Sequence, residues 1–123
     1  MPKIDVPTIV REAMKDPEFS REMRFFDGLL KIAIADDETI LEFSDGKLLS
    51  AQAKSIPDEK CQIFVKGTAE HWEKMLARYP APFYQCLQTT AVKHGLKMSV
   101  TNQTYAYLPA LNRLLQILRE KNN

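Results

Sequence analysis

The residues of this chain that could do chemistry are few, and their spacing does not bring them together. There are two histidines, His71 and His94, and two cysteines, Cys61 and Cys86. No H-x-x-x-H, C-x-x-C or H-E-x-x-H spacing sets two metal ligands on neighbouring turns. His71 stands two residues from Glu73, on the side of its helix away from the apolar stripe, and His94 stands at a helix end. Neither has a partner that would make it a base or a ligand. Asp36-Asp37-Glu38 could meet a cation, but it lies in a hairpin turn without the glycine spacing of a calcium loop, so a solvated turn is expected. With only four glycines the chain has no glycine-rich phosphate loop, and it has no G-x-S-x-G elbow. The expectation is no catalytic residue, no metal and no cofactor. Cys61 and Cys86 read as small buried hydrophobes in a reducing compartment.

What remains is apolar chemistry. From Cys61 to Tyr79 the chain reads as a strand running straight into a helix. Cys61, Ile63 and Val65 alternate with Gln62 and Lys66, Phe64 falls on the second face, and Gly67 breaks the pattern. Thr68 offers an N-cap hydroxyl and Glu70 a first-turn carboxylate. Trp72, Met75, Leu76 and Tyr79 then fall at i, i+3, i+4 and i+7, until Pro80 stops the helix. Phe83 and Leu87 on the next helix, Met98 on the last strand, and Leu111, Leu115 and Leu118 on the closing helix extend this surface. Such stripes pack a dry core, or they line an apolar ligand cavity of roughly 300–1,000 Å³. If a cavity exists, Tyr79–Phe83 is the expected mouth, because a Pro-Ala-Pro link cannot seal it as a continuous helix would. Lys66, Lys93 and Lys97 would meet an acidic head group if they cluster there; otherwise they are solvated edges.

Composition narrows the class. The 123 residues suit one domain spanning 1–123, with N-terminal helices over 1–28 and a sheet-and-helix core over 29–121. A net charge of +1 gives no reason to expect nucleic acid. No apolar run approaches the ~20 residues of a membrane span, and the N-terminus lacks the apolar region of a secretory signal. A cytoplasmic protein is expected.

The elements that must position the stripe follow in order. A first helix is predicted over 4–15, with Pro7 at N1. Asp16 and Pro17 start a second, which carries Phe19, Met23 and Phe26 and ends with Gly28 at C′. Strands are predicted over Leu29–Ala35, Thr39–Phe43 and Lys47–Lys54, turning at Asp36-Asp37 and at Asp45-Gly46. Leu30, Ile32 and Ile34 share one face of the first; the face of Lys31 and Ala33 is expected to be partly covered at most. After Pro80-Ala81-Pro82 comes a helix with Pro82 at N1, Phe83, Leu87 and Ala91 on one side, and Gly95 at its end. Leu96–Thr101 reads as a fifth strand with Leu96, Met98 and Val100 on one face. A final helix over about 104–121 either starts near Pro109 or kinks there. The order is that of an α+β fold, a five-stranded, mainly antiparallel sheet with helices on one face.

Three phrases carry a resemblance: the hairpin Phe43-Ser44-Asp45-Gly46-Lys47, the join Val65-Lys66-Gly67-Thr68-Ala69-Glu70-His71-Trp72, and Gly95-Leu96-Lys97-Met98-Ser99-Val100 before the closing helix. In order and spacing the chain resembles the sterol carrier protein type 2 family over roughly 25–121. The resemblance implies a five-stranded sheet with an apolar tunnel between it and the helices. It also implies non-catalytic binding or transfer of a fatty acid, fatty acyl-CoA, sterol or phospholipid, with Trp72, Met75, Leu76, Tyr79, Phe83, Leu87, Met98, Leu111 and Leu115 as the lining. The alternative is an accessory module of the same fold with a filled core, docking on an enzyme of lipid or steroid metabolism. Two features depart from the family. Thr101-Asn102 stands where a Gly-Asp pair is usual, with Asn102 able to cap the next helix. The chain ends in Lys121-Asn122-Asn123 rather than a peroxisomal Ser-Lys-Leu type tripeptide, so a stand-alone microbial relative is the better match.

Overall fold

The computed structural model of the chain describes residues 4–123. Aspartates open the first two helices. Asp5 caps α1 (Val6–Ala13) and Asp16 caps α2 (Pro17–Glu22), where its carboxylate accepts the Phe19 N–H at 2.9 Å. Pro7 sits one residue later than N1, since Val6 is the first helical residue. α2 does not reach Gly28. Its C-cap is Met23, Phe25 takes the left-handed turn (φ 75°), and Gly28 becomes the first residue of the sheet.

The strands are β1 (Gly28–Ile34), β2 (Asp37–Ser44), β3 (Lys47–Ala53), β4 (Ile63–Gly67) and β5 (Lys97–Met98). Their order is β3-β2-β1-β4-β5; only the central β1–β4 pair is parallel. Asp45 and Gly46 (φ 49° and 78°) make the second hairpin turn, as a type I′ geometry requires. The first turn falls on Ala35-Asp36, one residue before the expected pair.

A parallel pair needs a crossover, and here it is residues 54–62, which contain a short 3₁₀ turn at Asp58–Lys60. This segment crosses the sheet face that carries Lys31. Hence Lys31, on the face expected to be partly covered at most, is only 2 % exposed, and Ala33 is buried too. The connection between β3 and β4 thus covers this face of the sheet.

The opposite face meets the helices α3 (Ala69–Met75), α4 (Leu87–His94), α5 (Asn102–Ala106) and α6 (Leu108–Asn122). Leu30, Ile32, Leu41, Ile63 and Val65 of the sheet pack with Trp72, Met75, Leu111, Leu115 and Leu118 of the helices and with Phe19 and Phe26. Two predicted boundaries change, and the start of the final helix near Pro109 is observed. α3 ends at Met75, so Tyr79 leaves the stripe. α4 starts at Leu87 rather than beside Pro82, because Asn112 Oδ1 on α6 accepts the Leu87 N–H at 2.9 Å and Cys86 becomes the half-buried N-cap. The final helix breaks at Tyr107 (φ −101°, ψ 9°), so it starts at Leu108, just before Pro109. Thr101, not Asn102, caps α5.

Candidate functional site

Two places in the molecule hold the residues in question, and they differ in kind. The first lies beneath the helices. Trp72, Leu87, Leu111 and Leu115, with Leu30, Ile32, Val65, Leu114 and Leu118, surround a void of about 20 Å³. That is room for about one water and far below the roughly 300 Å³ of a small-molecule site, so this region is packed. Trp72 anchors it. Its indole N–H donates to the Ala33 carbonyl at 2.9 Å, which satisfies the one polar atom of a buried ring. Gly67 makes the ring's seat, since a Cβ there would stand 2.7 Å from both Trp72 Nε1 and Leu96 Cδ1. Met75 and Leu76 are wholly buried nearby.

The second place is a cleft of about 630 Å³ around the β5 edge. β5 is two residues long because a side chain takes over its ladder. The Ser99 N–H still donates to the Phe64 carbonyl (3.0 Å), but the Phe64 N–H donates to Ser99 Oγ (3.1 Å), which also meets Thr104 Oγ1. The strand expected to run to Thr101 therefore stops, and Val100 is exposed rather than sharing the face of Leu96. The gap left beside α4 and α5 is lined by Phe64, Ala91, Val92, Leu96, Met98, Val100, Tyr105 and Leu108, with Asp58, Lys66, Lys97, Ser99 and Thr104 among its polar groups.

At the cleft, Asp58 joins two cations. Its Oδ2 accepts from Lys66 Nζ at 2.7 Å and its Oδ1 from Lys31 Nζ at 2.8 Å; Glu38 meets Lys31 at 3.2 Å. Burial alone would disfavour the Lys31 ammonium, but hydrogen bonds to Asp58 and Glu38 outweigh it and hold its pKa above the usual value. Those from Lys31 and then Lys66 hold Asp58 below the usual carboxylate range. Lys97, the cross-strand partner of Lys66, is exposed on the same face of the sheet.

The expected lining thus divides. Trp72, Leu87, Leu111 and Leu115 border the small void, and Met75 and Leu76 pack beside it. Met98 alone lines the cleft. Tyr79 is 81 % exposed and Phe83 46 % exposed, and neither borders either space. Hydrogen bonds from distant side chains close the linker around them, so the Pro-Ala-Pro link borders no opening into either space. Arg119 donates to the Met75 and Gln85 carbonyls at 2.8 and 3.0 Å, and the Thr89 and Thr90 hydroxyls both reach the Phe83 carbonyl at 2.9 Å. The cleft residues Phe64, Val92, Val100, Tyr105 and Asp58 were not singled out as lining. The available signal was valine at 92 and 100, apolar positions outside the helical stripe.

The histidines have structural uses. His71 Nδ1 accepts the Thr68 N–H (3.1 Å) while Thr68 Oγ1 accepts the His71 N–H, a capping box with histidine in place of the usual glutamate. His71 Nε2–H is then free to donate to the His94 carbonyl at 2.7 Å. Burial pushes the Cys61 thiol up, away from the reactive thiolate. Among the described residues no group of three or more His, Cys, Asp or Glu is placed to hold a metal, and no helix is long and apolar enough to cross a membrane.

No family model and no curated protein matches the sequence. Solved structures do match the fold. A crystal structure of sterol carrier protein 2 superposes with a TM-score of 0.71 at 13% identity, covering 94% of this chain and 93% of that one. A solution structure of a Thermus thermophilus protein, described as a candidate sterol carrier protein, gives 0.66 at 14% identity over 94% and 84%. A ubiquinone synthesis protein, UbiJ-SCP2, gives 0.57 at 16% identity over 90% and 88%. The expected architecture is therefore observed over nearly the whole chain: this protein has the fold of sterol carrier protein 2.

Proposed function

We propose that the protein binds an apolar lipid chain without chemistry, in the cleft beside β5. One observation carries this reading: a space of about 630 Å³, lined mainly by apolar side chains and continuous with the core through Leu96, within the size range of small-molecule sites. Burying a chain there contributes about 0.8 kcal/mol per CH₂, enough for tight binding without a reactive group. Lys66 and Lys97 at the polar end suit an acidic head group, as in a fatty acid or acyl-CoA. Trp72, Leu87, Leu111 and Leu115 form the apolar wall behind. A chain reaching them has to displace side chains, because the void of about 20 Å³ there is far smaller than a lipid chain.

The filled interior favours a second reading, an accessory module that docks on an enzyme of lipid metabolism. The neighbour named as a ubiquinone synthesis protein is compatible with it. Native mass spectrometry of protein purified from cells, with extraction and identification of any bound lipid, separates the two. The carrier reading expects a stoichiometric lipid, and Ala91→Trp, which fills the cleft, weakens binding of a fluorescent fatty acid by roughly tenfold or more. An empty protein that binds no fatty acid leaves the accessory reading.

A further inference from the structure

The charges of this chain are divided along its length. Residues 1–73 hold fifteen acidic and ten basic residues, whereas from Lys74 to Arg119 there are six basic residues and no Asp or Glu. The net charge of +1 conceals this. Two of the six are committed inside the fold, Arg113 to Asp16 and Arg119 to backbone carbonyls. Lys74, Arg78, Lys93 and Lys97 lie at the surface, and Lys74 makes an i,i+4 pair with Glu70 at 3.7 Å. The same stretch carries most of the exposed large apolar side chains among the described residues: Tyr79, Phe83, Val92, Val100 and Tyr105, against Phe25 and Leu49 elsewhere.

Cations and rings are paired there. The Arg78 guanidinium lies 5.5 Å from the Tyr79 ring, and Lys93 Nζ lies 5.1 Å from the Phe83 ring. Lys74 Nζ lies 5.6 Å from Tyr84, which stacks on His94 at 3.9 Å. The loop that presents Tyr79 and Phe83 is already ordered. Two prolines restrict it, Arg119 and the threonine hydroxyls hold its carbonyls, and His94 Nε2 donates to the Pro82 carbonyl at 3.2 Å. Exposing aromatic rings on a fixed loop lowers the entropy lost on docking.

We propose that this surface, built on Arg78, Tyr79, Phe83 and Lys93, docks the protein on an anionic lipid bilayer. Aromatic side chains flanked by basic ones are the chemistry of the head-group layer, where rings sit at the boundary and ammonium and guanidinium groups meet lipid phosphates. A protein partner of mixed charge would not require a stretch of this length without one carboxylate; a uniformly negative plane does. Val92, next to Lys93, also lines the β5 cleft, so docking brings the cleft towards the lipid. The four docking residues do not line the cleft, so the surface stands or falls independently of what the cleft binds.

The test is co-sedimentation with vesicles of phosphatidylcholine, with and without phosphatidylglycerol, at low and high salt. The full chain is expected to sediment with the anionic vesicles only, and to be released as salt rises. Each basic residue at such a surface is worth roughly fivefold in partitioning, so R78E/K93E together lose at least about 25-fold. Tyr79→Ser with Phe83→Asn, asparagine being tolerant of the left-handed φ of 71° at position 83, weakens binding at constant charge. Melting curves matching the parent protein exclude misfolding. No binding to anionic vesicles, undiminished binding by the folded R78E/K93E variant, or capture of RNA in preference to vesicles each overturns the proposal.

Discussion

Beneath α3 and α6 the sheet is continuous. β1 and β4 run side by side for five paired residues, and the helices lay leucines, a methionine and a tryptophan onto them until about 20 Å³ is left. Beside α4 the sheet gives out. β5 offers two residues, Ser99 substitutes its hydroxyl for a ladder bond, and about 630 Å³ stays open. The apolar side chains on the two sides are of similar kinds. The strand beneath them, rather than the helical stripe above, decides which region fills. A stripe at 3.6-residue spacing therefore reports an apolar face but says nothing about whether that face closes a core or borders a cavity.

Opening the packed side should have the largest effect. Trp72→Ala removes a 2 %-exposed ring and its hydrogen bond to Ala33, and is expected to cost about 3–5 kcal/mol in urea unfolding. Val92→Ser in the cleft wall, at an 80 %-exposed position, should change stability by less than about 0.5 kcal/mol. Equal effects at the two sites would contradict the contrast.

A smaller effect is expected at the polar end of the cleft. Asp58→Ala strips Lys31 of one of its two carboxylate partners while Glu38 remains at 3.2 Å. Leaving a buried ammonium half-compensated is expected to cost about 1–3 kcal/mol. In K31M the same Asp58→Ala change should cost less, only up to about 1 kcal/mol from the partly exposed Lys66 pair, a double-mutant cycle that isolates the Lys31 contribution.

Asp16 and Arg113, which border neither region, tie the start of α2 to α6 at 2.8 Å. The Arg113 guanidinium beside Asp16 lowers the pKa of its carboxyl from 3.8 to about 2. A depressed folded-state pKa means the folded state holds its proton less tightly than the unfolded chain. The stabilisation is then fully present above about pH 4, the unfolded value, and is lost as pH falls towards 2. The stability difference between the parent protein and Asp16→Asn should therefore shrink across that window. A difference independent of pH would show that the ion pair contributes nothing.

Features encoded by neighbours in sequence were legible. Asp16 and Thr68 as caps, Asp45-Gly46 as a turn, Gly95 at the end of α4 and the buried stripe of α6 all follow from local rules and are observed. Features set by distant partners were not. α3 stops at Met75, where Arg119 and Asn123 take its last carbonyls, and α4 waits for Asn112. Lys31 is buried because a segment nearly thirty residues later crosses over it. The cleft was illegible for the same reason, since it exists where Ser99 meets Phe64 across a 35-residue separation.

The methionines report directly on whether a lipid enters the β5 cleft. The chain has five; Met23 and Met75 are wholly buried in the packed core, and Met98 faces the cleft. With ¹³C-labelled methionine methyls, oleate is titrated into the protein and the NMR signals are followed. Binding in the β5 cleft predicts that Met98 shifts while Met75 and Met23 stay in place. A shift at Met75 with Met98 unmoved would put the ligand beneath the helices instead. No shift at any methionine, with no oleate bound, would contradict lipid binding outright.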